Sequence, residues 1–459
     1  MEHIMPRDIP VGNGTLLVAF NTLYEICDIY YPHVGMENHS FGYPFRFGVW
    51  VDGEFSWVRS DEWKRSLDYQ DDTLVTDVRL ENGVLGIELQ CADCVDFHES
   101  VFLRRVTVHN NRSRSRNVRL FFHHDFNISH TDVGDTAYYD PRTNSLVHYK
   151  RRIYFLMSSC TETMCGGFQY STGYKRSARW EGTWRDAEDG TLSGNPIVQG
   201  SVDSVMGIEC NPEPNGDATI YYWMAAGKSY EDVKTVNSII HERGPEGLIR
   251  RTRDYWRLWI EKEESDLSIL PENIQRLYNR SLLILRTQID NEGAIIAAND
   301  TDIFQFGRDT YSYMWPRDGA LVARALDIAG YSEPARRFYK FCAGAIHDRG
   351  YLLHKYNPDG SPGSSWHPWV GEQGMHLPVQ EDETALVIWA LWNHFRIYRD
   401  IEFIKPLYKP LIKAAADFML QYRESRTGLP YPSYDLWEER RGILTFTTAS
   451  VVAGLRAAA

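Results

Sequence analysis

The feature that most limits how this 459-residue chain can fold is a change in the period of its apolar residues at about Gly227. Upstream, short runs read as strands. Val11 to Phe20 is a turn running into an apolar strand, Asn82-Gly83 is a hairpin dipeptide, and Phe102 to His109 with Asn117 to His124 read as a further hairpin. Many short strands at this spacing predict an antiparallel sandwich over residues 1–228. Downstream the spacing turns helical. Ser229-Tyr-Glu-Asp supplies a cap and residues 244–262 a second helix, so 229–265 reads as a helical linker. From Pro271, Ile274, Leu277, Tyr278, Leu282 and Leu285 recur at helix spacing, and further helices are expected at about 319–329, 333–347, 383–398, 403–422 and 444–458. Residues 266–459 therefore read as a helical domain, and the fold class expected is multidomain, β then α.

Composition narrows the function. A net charge of -13 disfavours nucleic acid or an anionic membrane as partner, because phosphate binding needs concentrated Lys and Arg. A neutral ligand fits better. No apolar run approaches the roughly eighteen residues of a membrane span, and the start lacks a basic segment followed by an apolar one. Seven cysteines scattered over a long chain make no disulfide framework, so a reducing cytoplasm is the expected location. Cys91 and Cys94 form a Cys-x-x-Cys without a second pair at zinc spacing, and His109, His123, His124 and His130 read as sheet or hydrogen-bonded residues. The run Arg112 to Arg116 reads as a solvated loop tip. Without a P-loop, dinucleotide fingerprint or His-Glu-x-x-His, neither cofactor nor catalytic metal is expected.

The aromatic and acidic clusters sit between the predicted helices: Tyr311 to Asp318, Trp366-His-Pro-Trp, Gln380-Glu-Asp-Glu, and Tyr431 to Gly442. Loops displayed by a rigid scaffold are where function concentrates. Trp315, Arg317 and Asp318 combine a flat apolar face, a donor fork and an acceptor, which suits a sugar's C-H face and vicinal hydroxyls, or equally a structural ion pair capping a helix. Glu438 and Glu439 stand side by side after Trp437, where mutual repulsion and an aromatic wall would help one of them hold its proton near neutral pH. A solvated helix entry is the plainer reading.

Taken together, Trp315-Pro-Arg-Asp, Gln380-Glu-Asp-Glu-Thr-Ala and Tyr434-Asp-Leu-Trp-Glu-Glu, in this order on connections between helices, resemble glycoside hydrolase family 15, the glucoamylase family, especially its prokaryotic members. Arg7-Asp-Ile-Pro-Val-Gly-Asn-Gly and Asp28-Ile-Tyr-Tyr-Pro-His-Val-Gly are similar to the opening of that group's N-terminal sandwich. The resemblance covers essentially the whole chain. It implies an N-terminal β-sandwich followed by an (α/α)6 barrel, of which about half falls within this chain. It also implies exo-acting hydrolysis of terminal α-linked glucose with inversion. Glu438 is then the general acid. Arg317, Asp318, Tyr311, Trp315, Trp437 and Glu439 are sugar contacts, and Asp435 ranks lower as a loop support.

An inverting hydrolase needs a second carboxylate roughly 6.5 to 9.5 Å from the acid. The resemblance places that base far downstream, and no motif of this chain matches it. The sequence ends at Ala459 inside what reads as a helix, and three accounts of that ending are open: a fragment of a longer enzyme, a site completed by a second polypeptide, or a shortened relative that binds glucans without cleaving them. The partner expected is a neutral α-glucan oligosaccharide or trehalose, the latter if the chain is a trehalase of the same family.

Overall fold

The computed structural model describes residues 9–176, 181–262, 267–299, 310–364, 370–371, 374–375 and 379–459, so Trp366-His-Pro-Trp and the first eight residues lie outside the described residues. Two large antiparallel sheets face each other. The nine-stranded sheet runs, in spatial order, Ile197–Gly200, Asp135–Asp140, Ser145–Lys150, Ile153–Thr161, Asp217–Gly227, Val101–Asn110, Ile87–Val95, Thr76–Asn82 and Trp63–Tyr69. The five-stranded sheet runs Gln169–Tyr174, Val202–Cys210, Val118–His124, Phe47–Val51 and Glu54–Trp57. Alternate residues of both sheets, among them Val78, Leu89, Val106, Leu120, Phe122 and Met206, form a dry core between them. Each side chain so buried stabilises the fold by about 1.5–3 kcal/mol before entropy is charged against it.

Two expectations change here. Val101–Asn110 and Val118–His124 are not a hairpin; they lie in different sheets. The Arg112–Arg116 run between them is the crossing, and its last residue is not a solvated tip. Arg116 is buried, its Nε donating to Asp52 beside the five-stranded sheet and its Nη1 to the Leu85 carbonyl (3.1 Å) beside the nine-stranded one. Cys91 and Cys94, three apart on one strand, point to opposite faces, Cys91 into the core between the sheets and Cys94 into the layer beyond.

Helices α1 (Tyr230–Arg243) and α2 (Pro245–Glu261) cover that outer face, where Val233, Ile240 and Leu248 meet Leu103, Leu156 and Trp223. Ser229 caps α1 by accepting the Asp232 N–H, which satisfies one of the first-turn donors. Trp256 and Ile260 carry α2 on into a separate helical core. That core is built from α3 (Glu272–Thr287), α4 (Pro316–Ile328), α5 (Ser332–Ala345), α6 (Glu381–Tyr398), α7 (Ile401–Leu407), α8 (Ala414–Gln421) and α9 (Thr445–Ala458). The single helix expected at 403–422 is instead α7, a π-helical stretch Tyr408–Lys413, and α8. Pro406 and Pro410 explain the change, since proline has no N–H for the i−4 carbonyl and its ring crowds it.

Helices α4 and α6 run parallel. Arg317 meets the α6 N-terminus, while at the far end His394 and Tyr398 bond to Asp327. The Thr447 hydroxyl at the start of α9 donates to Asp382 (3.1 Å), so three helix N-termini share one rim. A four-stranded meander (Ile9–Gly12, Leu17–Phe20, Ile26–His33, Met36–Asn38) braces that rim from the sandwich side. The Val34 N–H donates to Asp290 (2.9 Å), and Tyr30 and Ser312 share a hydroxyl contact of 3.3 Å. Gly35, at φ 89°, takes a conformation that favours glycine, and a Cβ there would press within 3.1 Å of Ile296 and 3.2 Å of Ser312. The Tyr-Tyr-Pro-His-Val-Gly motif is thus a strut under the 311–318 loop.

Candidate active site

The rim is organised by a buried cation. Pro316 fixes the first turn of α4, which aims Arg317 at the N-terminus of α6. Its Nη1 donates to Gln380 Oε1 and Asp382 Oδ2, both at 2.8 Å, and lies 2.8 Å from Glu383 Oε1; its backbone N–H donates to the other Glu383 oxygen. Asp318 sits half-exposed with Oδ2 3.6 Å from Arg317 Nε. Burial alone would lower the Arg317 guanidinium, but Glu383 and Asp382 outweigh it and hold it above its usual range. Burial pushes the Glu383 carboxyl up, Arg317 opposing and Asp382 adding to the rise. Desolvation also raises Asp318. With its side chain 11% exposed, Arg317 directs Nη1 at Gln380, Asp382 and Glu383, while the Asp318 side chain is 49% exposed.

Tyr311, Tyr313 and Trp315 form an aromatic cluster just upstream, with ring centroids 6.1 Å apart for Tyr311 and Trp315 and 5.7 Å for Tyr313 and Trp315. Trp315 is 7% exposed, whereas Tyr311 is open to solvent. Met314 and Tyr356 exchange backbone hydrogen bonds of 2.9 Å, which draws the 352–356 segment alongside. The Lys355 ammonium then lies 4.5 Å from the Tyr313 ring and 5.4 Å from that of Trp315.

The third contribution comes from a small hairpin, Ser433–Tyr434 against Arg441–Gly442. Asp435 organises its tip: the Glu438 N–H donates to the Asp435 carbonyl and the Glu439 N–H to its side chain, both at 2.9 Å. The Glu439 N–H leads the causes that hold the Asp435 carboxyl below its usual range. Glu438 adopts φ 59°, a left-handed conformation that costs a non-glycine residue about 1–2 kcal/mol. Such strain at an acidic loop tip marks a position worth testing for function. The side chain is 12% exposed, with Oε1 3.8 Å from His354 Nε2. Beneath the hairpin, Glu381 is 1% exposed, and neither carboxyl oxygen makes a hydrogen bond of normal geometry. Burial pushes Glu381 up to about 7, a nearby Ser433 hydroxyl opposing.

The segment His354 to Tyr356 therefore links the loop of Tyr311, Trp315, Arg317 and Asp318 to the hairpin of Glu438. Trp437 does not form the wall expected against Glu438: the Glu438 side chain is 12% exposed, whereas Trp437 is 81% exposed. Glu439 is likewise solvent-facing. Sequence reasoning missed His354 and Lys355, which carry no periodic signal, and the role of Glu383 as counter-ion. The signal that could have found Glu383 is three acids heading a helix that is apolar all round, which calls for a cation at a buried entry.

Residues 273–459 match the model of the glycosyl hydrolases family 15. An uncharacterised glycosyl hydrolase of Methanocaldococcus jannaschii is 26% identical over 456 residues, covering 98% of this chain and 68% of that protein. A glucoamylase of a Clostridium species is 31% identical over 189 residues, 40% of this chain and 23% of that protein. In structure, a bacterial glucoamylase complexed with acarbose superimposes with a TM-score of 0.73 at 18% identity, over 99% of this chain and 63% of that one. The chain thus spans less than two thirds of the glucoamylase chain whose fold it shares. The family match and the relative in Methanocaldococcus jannaschii place the chain among proteins similar to glycosyl hydrolases. Its helical segment matches glycosyl hydrolases family 15, and the chain as a whole shares the fold of a bacterial glucoamylase.

Proposed function

We propose that this chain carries the acid half of an exo-acting, inverting α-glucosidase site. Glu438 protonates the departing glycosidic oxygen. Asp318 accepts from hydroxyls of the terminal glucose, with Arg317 holding that carboxylate and the α6 entry in place. Tyr311 and Trp315 form the apolar wall, and Trp437 and Glu439 contact the sugar beyond the scissile bond. The observation that carries this reading is the meeting of the 311–318 loop and the Glu438 hairpin on the two sides of His354 to Tyr356.

Inversion needs an ionised carboxylate that can reach water on the opposite ring face. Among the described residues, the acids at the head of α6 are unsuited: Asp382 and Glu383 are committed to Arg317, and Glu381 is buried and keeps its proton up to about 7. The reading therefore assigns the base to a further segment or polypeptide, and these 459 residues alone should release no glucose from maltotriose. Sugar binding tests the half that is present. Asp318→Ala should weaken maltotriose binding by about tenfold or more, the cost of a lost hydrogen bond to a charged acceptor. Calorimetry showing unchanged affinity would rule the grip out. Comparing maltotriose with trehalose in the completed enzyme separates glucoamylase from trehalase.

A further inference from the structure

Of the seven cysteines, Cys165 is exposed and the other six are buried, and Cys165 is paired across an antiparallel bridge with Cys160. The hydrogen bonds around the pair fix its type. The Thr161 N–H donates to the Met164 carbonyl (2.8 Å) and the Gly166 N–H to the Ser159 carbonyl (3.1 Å). Both bonds flank the two cysteines and neither joins them, so this is a non-hydrogen-bonded pair. In such a pair the Cα atoms stand about 4.5 Å apart with side chains on the same face, inside the roughly 4.4–6.8 Å that a disulfide spans. The turn between them is already organised, since the Thr161 hydroxyl accepts the Met164 N–H (3.1 Å). Gly166, at φ 82°, then lets the chain pass Asn144 where any side chain would collide. Beyond it the chain crosses from the strand Ile153–Thr161 of one sheet to Gln169–Tyr174 of the other.

We infer that Cys160 and Cys165 are a redox modification site, a dithiol that a low-molecular-weight disulfide converts into a cross-strand disulfide pinning the crossover between the two sheets. The exposed Cys165 attacks first: its proton goes to solvent, and its thiolate takes one sulfur of the small disulfide while the other leaves as thiolate. Cys160 then attacks Cys165 Sγ, its proton passing to the second departing thiolate. Two electrons move from the protein dithiol to the small disulfide, and two small thiols are released. Burial, followed by the adjacent Cys165 thiol, raises the Cys160 thiol, which agrees with Cys165 as the attacking residue and Cys160 as the resolving one.

The test treats the folded chain with oxidised glutathione, quenches by alkylation and maps peptides by mass. The expected product is lighter by two hydrogen atoms, with peptides containing Cys160 and Cys165 joined and the remaining cysteines alkylated only after denaturation. Cys160→Ser should stop at a glutathione adduct on Cys165, and Cys165→Ser should take up none in the same time. A persistent adduct on wild-type Cys165, an absence of reaction, or a disulfide joining Cys165 to any other cysteine would overturn the inference.

Discussion

Glu381 shows how one buried side chain sets a pH dependence. Its carboxyl is shifted from 4.5 to about 7 by burial, so the folded protein holds a proton that the unfolded chain releases at lower pH. Folding stability therefore falls as pH rises from about 4.5 to about 7 and levels off above, by about 3 kcal/mol at most. Glu381→Gln keeps the shape without the ionisation. The variant should match wild type near pH 4.5, exceed it above pH 7, and show a flatter profile in urea denaturation; parallel profiles would contradict the assignment. Arg317 makes the complementary point, because its neighbours Asp382 and Glu383 are tolerable in the interior only with the guanidinium between them.

At the level of elements, the rim depends on how closely α9 approaches α6. A Cβ on Gly454 would lie 2.8 Å from the Ala385 carbonyl oxygen and 3.0 Å from its Cα, backbone that cannot step aside. Alanine would gain up to about 1 kcal/mol of helix propensity, but the overpacking costs about 1–3 kcal/mol, so Gly454→Ala should destabilise. An unchanged midpoint in chemical denaturation would show that the helices can separate freely. Much of this element layout was legible: α1, α3 and α6 begin within a few residues of where caps and apolar spacing put them, since helix periodicity and end signals are local. The sheet partners were not. Val101–Asn110 and Val118–His124 look like neighbours because a polar turn joins them, and nothing local says that this turn crosses between sheets. In the site, Glu438, Arg317 and Asp318 stood out as types suited to sugar chemistry. His354 and Lys355 entered only through the Met314 and Tyr356 pairing, a contact between distant segments.

Across the whole molecule, the sandwich and the helical core meet at Asp290, which accepts the Val34 N–H (2.9 Å) and lies 3.4 Å from His33 Nδ1. The Asp290 carboxylate at that distance raises the His33 imidazole, burial opposing. Its contribution is therefore full below the unfolded value near 6.5 and is lost as pH rises through the higher folded value. Asp290→Ala strands a buried N–H and should cost about 1–3 kcal/mol, with a larger deficit at pH 5.5 than at pH 8.5. A deficit independent of pH would leave His33 out of the interface. The same docking supports the 311–318 loop and hence the proposed sugar grip. The most direct measurement of that proposal is turnover of maltotriose by the completed enzyme with Glu438→Gln. Loss of the proton donor should lower kcat by about 10²–10⁴-fold while maltotriose affinity stays within about threefold. Turnover close to wild type would mean that another group protonates the leaving oxygen.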